Sequence, residues 1–282
     1  MVNNARLFIE LIRKASGDSY PSWAPPRDIK VGDYGAVNRE TGEFEPEGSI
    51  YDDEFAPELE IKKNHPIEPC WTDDKYVITS RGCKGLTFDA DVNTRFPELV
   101  RSDITGRWEF QRGQGAILMM FRPQESRIKG QGTLLPKLQH KTPLSDKALV
   151  TSVYSCPMYA LLLASEKDVK ADAAIGLSLA NVGGASVRGT WHCYSSSGVW
   201  RTGGQNGDAT FRPLYRLRTP KTKNFLEKLF DRRGASVPEG ENTFQPYHPP
   251  WGQLDEGGEE VPPESPDDDP GFESVSDEEV AV

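Results

Sequence analysis

Hydrophobic positions recur along this chain with two different periods. Between Asn4 and Ala15, the residues Leu7, Phe8, Leu11, Ile12 and Ala15 fall at i, i+1, i+4, i+5 and i+8. That spacing lays one apolar stripe along an α-helix, which Ser16-Gly17 ends. A second helix is predicted for KTKNFLEKLFDRRG, where Phe225, Leu226, Leu229 and Phe230 share one face and Gly234 stands at the position that favours a left-handed cap. Between the two helices the period drops to two. In GLTFDADVN, Leu86, Phe88, Ala90 and Val92 alternate with Thr87, Asp89, Asp91 and Asn93. In KADAAIGLSLA, Ala173, Ile175, Leu177 and Leu179 share one parity, while Asp172, Ala174, Gly176, Ser178 and Ala180 share the other. Trp108 and Phe110 alternate with Arg107, Glu109 and Gln111, and AILMMF (Ala116–Phe121) is apolar throughout, the pattern of a buried strand. YALLLAS, SGVWRTG and ATFRPLYRLRT add further strands, so the chain between the helices is mainly β.

Alternation of this length suits two structures. An amphipathic sheet packed on one side is the commoner. A membrane-spanning β-strand also needs about nine to eleven residues, with one face to lipid and one to a watery lumen. The first helix is equally two-sided. Arg6, Arg13 and Lys14 lie off its apolar stripe, which fits a surface helix packed on a core and also fits a helix lying on an anionic membrane.

Charge divides the chain more sharply than the total of −10 suggests. Residues 237–282 hold 14 of the 43 acids and none of the 33 bases, leaving 29 acids against 33 bases, or +4, in the first 236. A segment so rich in Pro, Gly and acid buries too little apolar surface to offset its ordering entropy and is expected to be mostly disordered. Phe244, Tyr247 and Trp251 favour docking of its proximal half. The tail reads either as a solubilising segment or as an electrostatic mask over the basic body.

Several classes are set aside. The longest apolar run is far shorter than the ~20 residues of a spanning helix. The charged N-terminus lacks the apolar core of a secretory signal, so the chain is expected in the cytoplasm. Cys70, Cys83, Cys156 and Cys193 form no CxxC pair, so neither a metal site nor a disulfide framework is expected. No nucleophile elbow, P-loop, HExxH or dinucleotide fingerprint occurs, and no cofactor is expected. His192 and Cys193 are adjacent in a strand and point to opposite faces, so the chain is not read as an enzyme. The competing class is a cytosolic protein- or nucleic-acid-binding module that uses the basic strip from Arg101 to Lys141, with Trp108 and Phe110 as stacking residues.

The order of features is itself informative. A basic amphipathic N-terminal helix is followed by IKVGDYGAVNRETGEFEPEGSIYDD, with a hairpin turn at Glu40–Glu43, then by QGAILMMFRP, then by LSLANVGGASVRGTWHCYSSSGVWRTG running into FRPLYRLRT. This resembles the pore-forming domain of gasdermin-like proteins, particularly the fungal ones. The resemblance implies an α+β fold, a twisted antiparallel sheet with flanking helices, in a pore-forming domain of residues 1–234 followed by an acidic tail of residues 235–282. It further implies a monomer or dimer while autoinhibited. An activating protease would remove the tail, with Arg232, Arg233 and Gly234 as the candidate cleavage region. The freed domain would bind acidic phospholipid through Arg6, Arg13 and Lys14, move to the cell membrane and assemble as a homo-oligomer, without nucleic acid. It would span the bilayer with strands presenting Leu86, Phe88, Ala90, Val92, Ala173, Ile175, Leu177 and Leu179 to lipid, and so cause cell death. The small residues from Gly176 to Ser186 would let the strand pair lie flat in one state and extend in another.

Overall fold

The computed structural model describes residues 3–17, 19–25, 28–86, 102–111, 113–139, 141–164, 166, 168–179, 187–204, 210–221 and 243–262. The fold is α+β, and every strand pairing among the described residues is antiparallel. Where the sequence suggested one twisted sheet, the described strands form three. The large sheet holds β1 (Tyr20–Pro21), β2 (Asp33–Val37), β3 (Phe44–Ser49), β4 (Ile67–Thr72), β9 (Gln124–Ile128), β10 (Ala148–Cys156), β15 (Phe211–Pro220) and β16 (Phe244–Pro246). The middle sheet runs β14 (Val199–Gly203), β11 (Met158–Ala164), β8 (Gly115–Phe121), β5 (Lys75–Thr79). The hairpin sheet runs β13 (Val187–Ser195), β12 (Val169–Leu179), β7 (Ser102–Phe110), β6 (Cys83–Leu86).

The unbroken apolar strands are explained by where the middle sheet sits. Ala116, Leu118 and Met120 of β8 and Leu161 and Leu163 of β11 cluster with Leu7, Phe8 and Ile12 of helix α1 (Asn4–Ser16). The alternate residues Ile117, Met119 and Phe121, with Met158, Ala160 and Leu162, cluster with the hairpin sheet. A strand covered on both faces has no parity to spare for polar side chains. The large sheet has its own cluster around Ile29, Phe44, Leu149 and Tyr215, which also takes Ile9 from α1.

The β2–β3 turn forms where the sequence placed it, with Val37 paired to Phe44 and Asn38 N–H donating to Glu43 O at 2.9 Å. The β-branched run ALVTSVYSC forms β10, the hub of the large sheet, and QGTLLPKL forms a short helix α3 (Gln131–Leu138) despite Pro136, after α2 (Ile61–Asn64). Lys221 is the last described residue before the predicted second helix, whose residues 222–234 lie outside the described ones.

Leu161→Ala, at the centre of the middle sheet and fully buried, is expected to lower stability by about 2–5 kcal/mol in urea unfolding, because the close-packed layers cannot collapse onto the void.

Candidate functional site

The hairpin sheet is two hairpins fused through one interface. Its central strands β7 and β12 pair from Val169↔Phe110 to Gly176↔Ser102, and β6 and β13 flank them. Register assigns the faces. Trp108, Phe110, Val169, Ala171, Ala173, Ile175 and Trp191 turn towards the middle sheet and are buried. Leu177 and Leu179 continue that parity, paired to Gly189 and Val187. Gly106 is required here, because the Trp108 ring folds back over it and a Cβ would stand 2.0 Å from the ring. The opposite face carries Arg107, Glu109, Lys170, Asp172, His192 and Tyr194. On that face Arg107 Nε donates to Asp172 Oδ1 at 2.8 Å directly across the β7–β12 seam, with the carboxylate side chain only 5% exposed. Removing one partner of such a pair costs on the order of 3–5 kcal/mol, so this contact fastens the hairpins to one another.

Two expectations about these strands change. Leu86 pairs with Arg107 and therefore belongs to the charged face, opposite to Ala173 and Ile175. Alternation within a segment fixes which residues share a face, but the pairing register decides which face it is. Trp108 and Phe110 claim the core side, which leaves Gly85 and Cys83 there beside them. Phe88, Ala90 and Val92 lie outside the described residues. Burial of Trp108 and Phe110, at 7% and 1% exposure, also removes the stacking platform of the nucleic-acid reading. His192 pairs with Ala174 and Cys193 with Ala173, on opposite faces as expected. Burial raises the Cys83 and Cys193 thiols to about 12.

The helix α1 corrects a third expectation. Arg6 is not on a wet face: it is 8% exposed, lies under the ring of Trp251 with 5.7 Å from Cζ to the centroid, and is 3.9 Å from Glu260. Arg13 donates to Glu10 Oε1 at 3.2 Å, and Lys14 reaches the same oxygen at 3.1 Å while remaining largely exposed. Burial works to raise the Glu10 carboxyl, but the hydrogen bonds from Lys14 and Arg13 hold it below its ordinary value. What covers Arg6 is the proximal tail, so the helical period was right and the missing information was a partner more than two hundred residues away.

That partner docks at two places. Phe244–Pro246 pairs with Arg218–Pro220 at the end of β15, extended by Lys221 N–H to Thr243 O and Tyr247 N–H to Leu217 O. Residues 251–260 then form a clasp over the N-terminal end of α1. The clasp is closed internally, since Asp255 accepts from the N–H groups of Gly257 at 2.8 Å and Glu259 at 2.9 Å, and Leu254 bridges Glu260. It is seated by Asn3 N–H donating to Gly257 O, by Gln114 donating to Glu256 O, and by Glu260 accepting from Arg39 Nε at 3.0 Å and Nη2 at 2.7 Å. Phe244 and Trp251 are 2% and 8% exposed within the large-sheet core. Each such burial is worth roughly 1.5–3 kcal/mol, whereas an ion pair on an exposed turn is screened and worth little. The aromatic anchors therefore dominate the docking and Glu260 tunes it. The sequence had offered Phe244, Tyr247 and Trp251 for this; nothing in it singled out Arg39 or Glu260. Arg232, Arg233 and Gly234 lie outside the described residues.

No family model matches the chain, and no curated protein does. Among solved structures, the gasdermin A3 membrane pore, seen by cryo-electron microscopy, is similar over 80% of this chain and 92% of that one, at 8% identity and a TM-score of 0.24. An overlay that loose carries no argument. Among the described residues, no helix is long and apolar enough to cross a membrane, and no three His, Cys, Asp or Glu side chains are grouped to hold a metal ion.

The hydrogen bonds from Arg39, then that from Gly252 N–H, hold the Glu260 carboxyl below its ordinary value of 4.5. Its contribution to docking is therefore complete above that value and is lost as pH falls through the lowered one. The protection of the Gly252 and Asn3 amides, taken as the intrinsic exchange rate at each pH divided by the observed one, is expected to fall in that acid window in the native chain and to stay level in Glu260→Gln; parallel protection profiles would remove Glu260 from the docking.

Proposed function

We propose that this chain is a gasdermin-like pore-forming protein whose hairpin sheet becomes the wall of a transmembrane β-barrel. The observation that carries the reading is one sheet made of two hairpins, apolar on one face and charged on the other, with β7, β12 and β13 of 9, 11 and 9 residues. Strands of about nine to eleven residues cross a bilayer when tilted. Moving the face of Ala173 and Ile175 from the middle sheet to lipid exchanges one apolar surrounding for another, so its burial is kept. Arg107, Glu109, Lys170 and Asp172 would then face the watery lumen.

Topology supplies a way to close the ring. Three antiparallel steps separate β13 from β6, so these end strands run in opposite directions, and β6 of a second copy can continue the sheet on β13 in antiparallel fashion. Such head-to-tail association makes closed rings when the rotation allows, and closure satisfies every edge N–H and C=O, which a bilayer demands. The expected partners are acidic phospholipid and further copies of this chain, with a protease acting on the tail before movement from the cytoplasm to the cell membrane. Lys14 is the exposed cation of α1 in the docked state, and Arg6 joins it once Trp251 and Glu260 leave. This function is not enzymatic and calls for no cofactor.

The test is dye release from phosphatidylserine- or cardiolipin-containing vesicles by the intact chain and by one ending at Lys221, with salt-sensitive retention on RNA as the competing readout. Leu177→Asp, on the lipid-facing parity, is expected to abolish leakage, because a charge facing hydrocarbon costs on the order of 2–4 kcal/mol for basic residues and somewhat less for Asp, in every subunit. Tyr194→Asp, on the other parity and 52% exposed, is expected to leak normally. Melting curves establish that both are folded, and leakage by a folded Leu177→Asp protein would sink the barrel.

A further inference from the structure

We infer that Trp108 and Phe110 form an interfacial girdle, which holds the hairpin sheet at the boundary between headgroups and acyl chains on the side of the bilayer where the body remains. The inference rests on the pore-forming reading and adds to it the height at which insertion stops. Some such mark is needed. β7 leads into β8 and β11 into β12, and β8 and β11 are nearly all apolar and buried from end to end. Hydrophobicity alone therefore gives a bilayer no reason to accept the hairpin sheet and refuse the strands that follow it.

Side chains on the apolar face are sorted along its length. Phe110 pairs with Val169 and Trp108 with Ala171, at the end where β7 leads into β8. Further from the body the buried residues of that face on β12 are Ala173 and Ile175, and its parity continues with Leu177 and Leu179. Aromatic side chains at the rim with aliphatic ones beyond is the order of a membrane barrel wall. Indole, an apolar ring with one N–H, prefers that rim to the hydrocarbon. The opposite face marks the same height. Lys84, Glu109 and Lys170 stand in one row across β6, β7 and β12, between the Phe110 and Trp108 rows. Charge on the wet face and aromatic rings on the apolar face thus coincide. Trp191 lies deeper. It pairs with Ile175, on the same apolar face and four residues beyond Ala171. At about 3.3 Å per residue and a tilt of about 40°, that places it ~10 Å further into the bilayer than Trp108. Its Nε1 is buried without a hydrogen-bond partner among the described residues, so passage into hydrocarbon forfeits no bond there.

The test places a site-specific endoprotease sequence over residues 235–241 of the full chain and cuts it in the presence of phosphatidylserine vesicles. Tryptophan fluorescence is read with lipids that carry a nitroxide near the glycerol end or near the methyl end of the acyl chain. The quenching lost in Trp108→Phe and in Trp191→Phe gives the depth of each ring, since Trp23, Trp71, Trp200 and Trp251 lie outside the hairpin sheet and cancel in the difference. Trp108 is expected to be quenched about twofold more by the shallow label than by the deep one, and Trp191 the reverse. Trp108→Leu, which keeps an apolar side chain but no affinity for the boundary, is expected to release about threefold less dye per bound molecule, and Trp108→Tyr, a ring with a polar end, to recover the release. Melting curves before cutting establish that each variant is folded. Dye release with both rings at one depth, or with Trp108 the deeper, overturns the girdle and leaves the barrel; undiminished release by folded, bound Trp108→Leu does the same. Neither quenching nor release from the cut protein overturns the girdle together with the pore-forming reading.

Discussion

The residues of Gly115–Phe121 are buried to the last one, and the middle sheet they belong to must be covered twice. On one side α1 supplies the cover, through Leu7, Phe8 and Ile12. On the other the hairpin sheet does, through Trp108, Phe110, Ala171, Ala173 and Ile175. Lifting the hairpin sheet away would expose Ile117, Met119, Phe121, Met158 and Leu162 at once. At roughly 1.5–3 kcal/mol for each large side chain, that cost is comparable to the whole stability of an ordinary domain, about 5–15 kcal/mol. A hairpin sheet that left its place in water would also expose its own apolar face. The two losses together make spontaneous opening in solution negligible and tie any such movement to an apolar phase that receives the hairpins.

The hairpins are built to move together if they move at all. The seam between β7 and β12 carries eight residue pairings and the Arg107–Asp172 bond across it, on the face away from the core. A buried ion pair adds little net stability, yet breaking it leaves an isolated charge. It therefore penalises sliding or separation of β7 and β12 without holding either to the middle sheet. Contacts on one face fix the sheet to the body and contacts on the other fix its halves to one another, so the first set can change while the second persists.

What the sequence disclosed follows from how local each determinant is. The period of α1, the turn at Glu40–Glu43, the buried strand β8 and the strand β11 are each written within a few residues, and they form as read. The division into three sheets and the face taken by Leu86 depend on which strand pairs with which. Leu86 meets Arg107 because Gly85 meets Trp108, and neither segment states that alone. The basic residues of α1 were visible as a group, but Arg6 differs from Lys14 only because Trp251 and Glu260 arrive from the far end of the chain. In the tail the aromatic residues among prolines were legible as anchors, while Arg39 is an ordinary turn arginine until Glu260 is placed beside it.

The acidic tail also looks different once magnitudes are compared. Fourteen carboxylates against a body of +4 suggest a long-range electrostatic mask, but charges exposed to water at physiological salt are screened over about 8 Å. Among the described tail residues, Asp255 spends its carboxylate on closing its own loop, and Glu260 is the acid that meets cations of the body. Phe244 and Trp251 meanwhile reach the same core as Tyr20 and Tyr215. The tail therefore occupies a surface instead of shading it from a distance: it covers the N-terminal turn of α1 by fitting there, with apolar burial for strength and one carboxylate for register. Occupation of that kind is sensitive to a single misplaced atom, as the close approach of Gly258 to Asn3 O illustrates, and comparatively insensitive to the total charge of the chain that carries it.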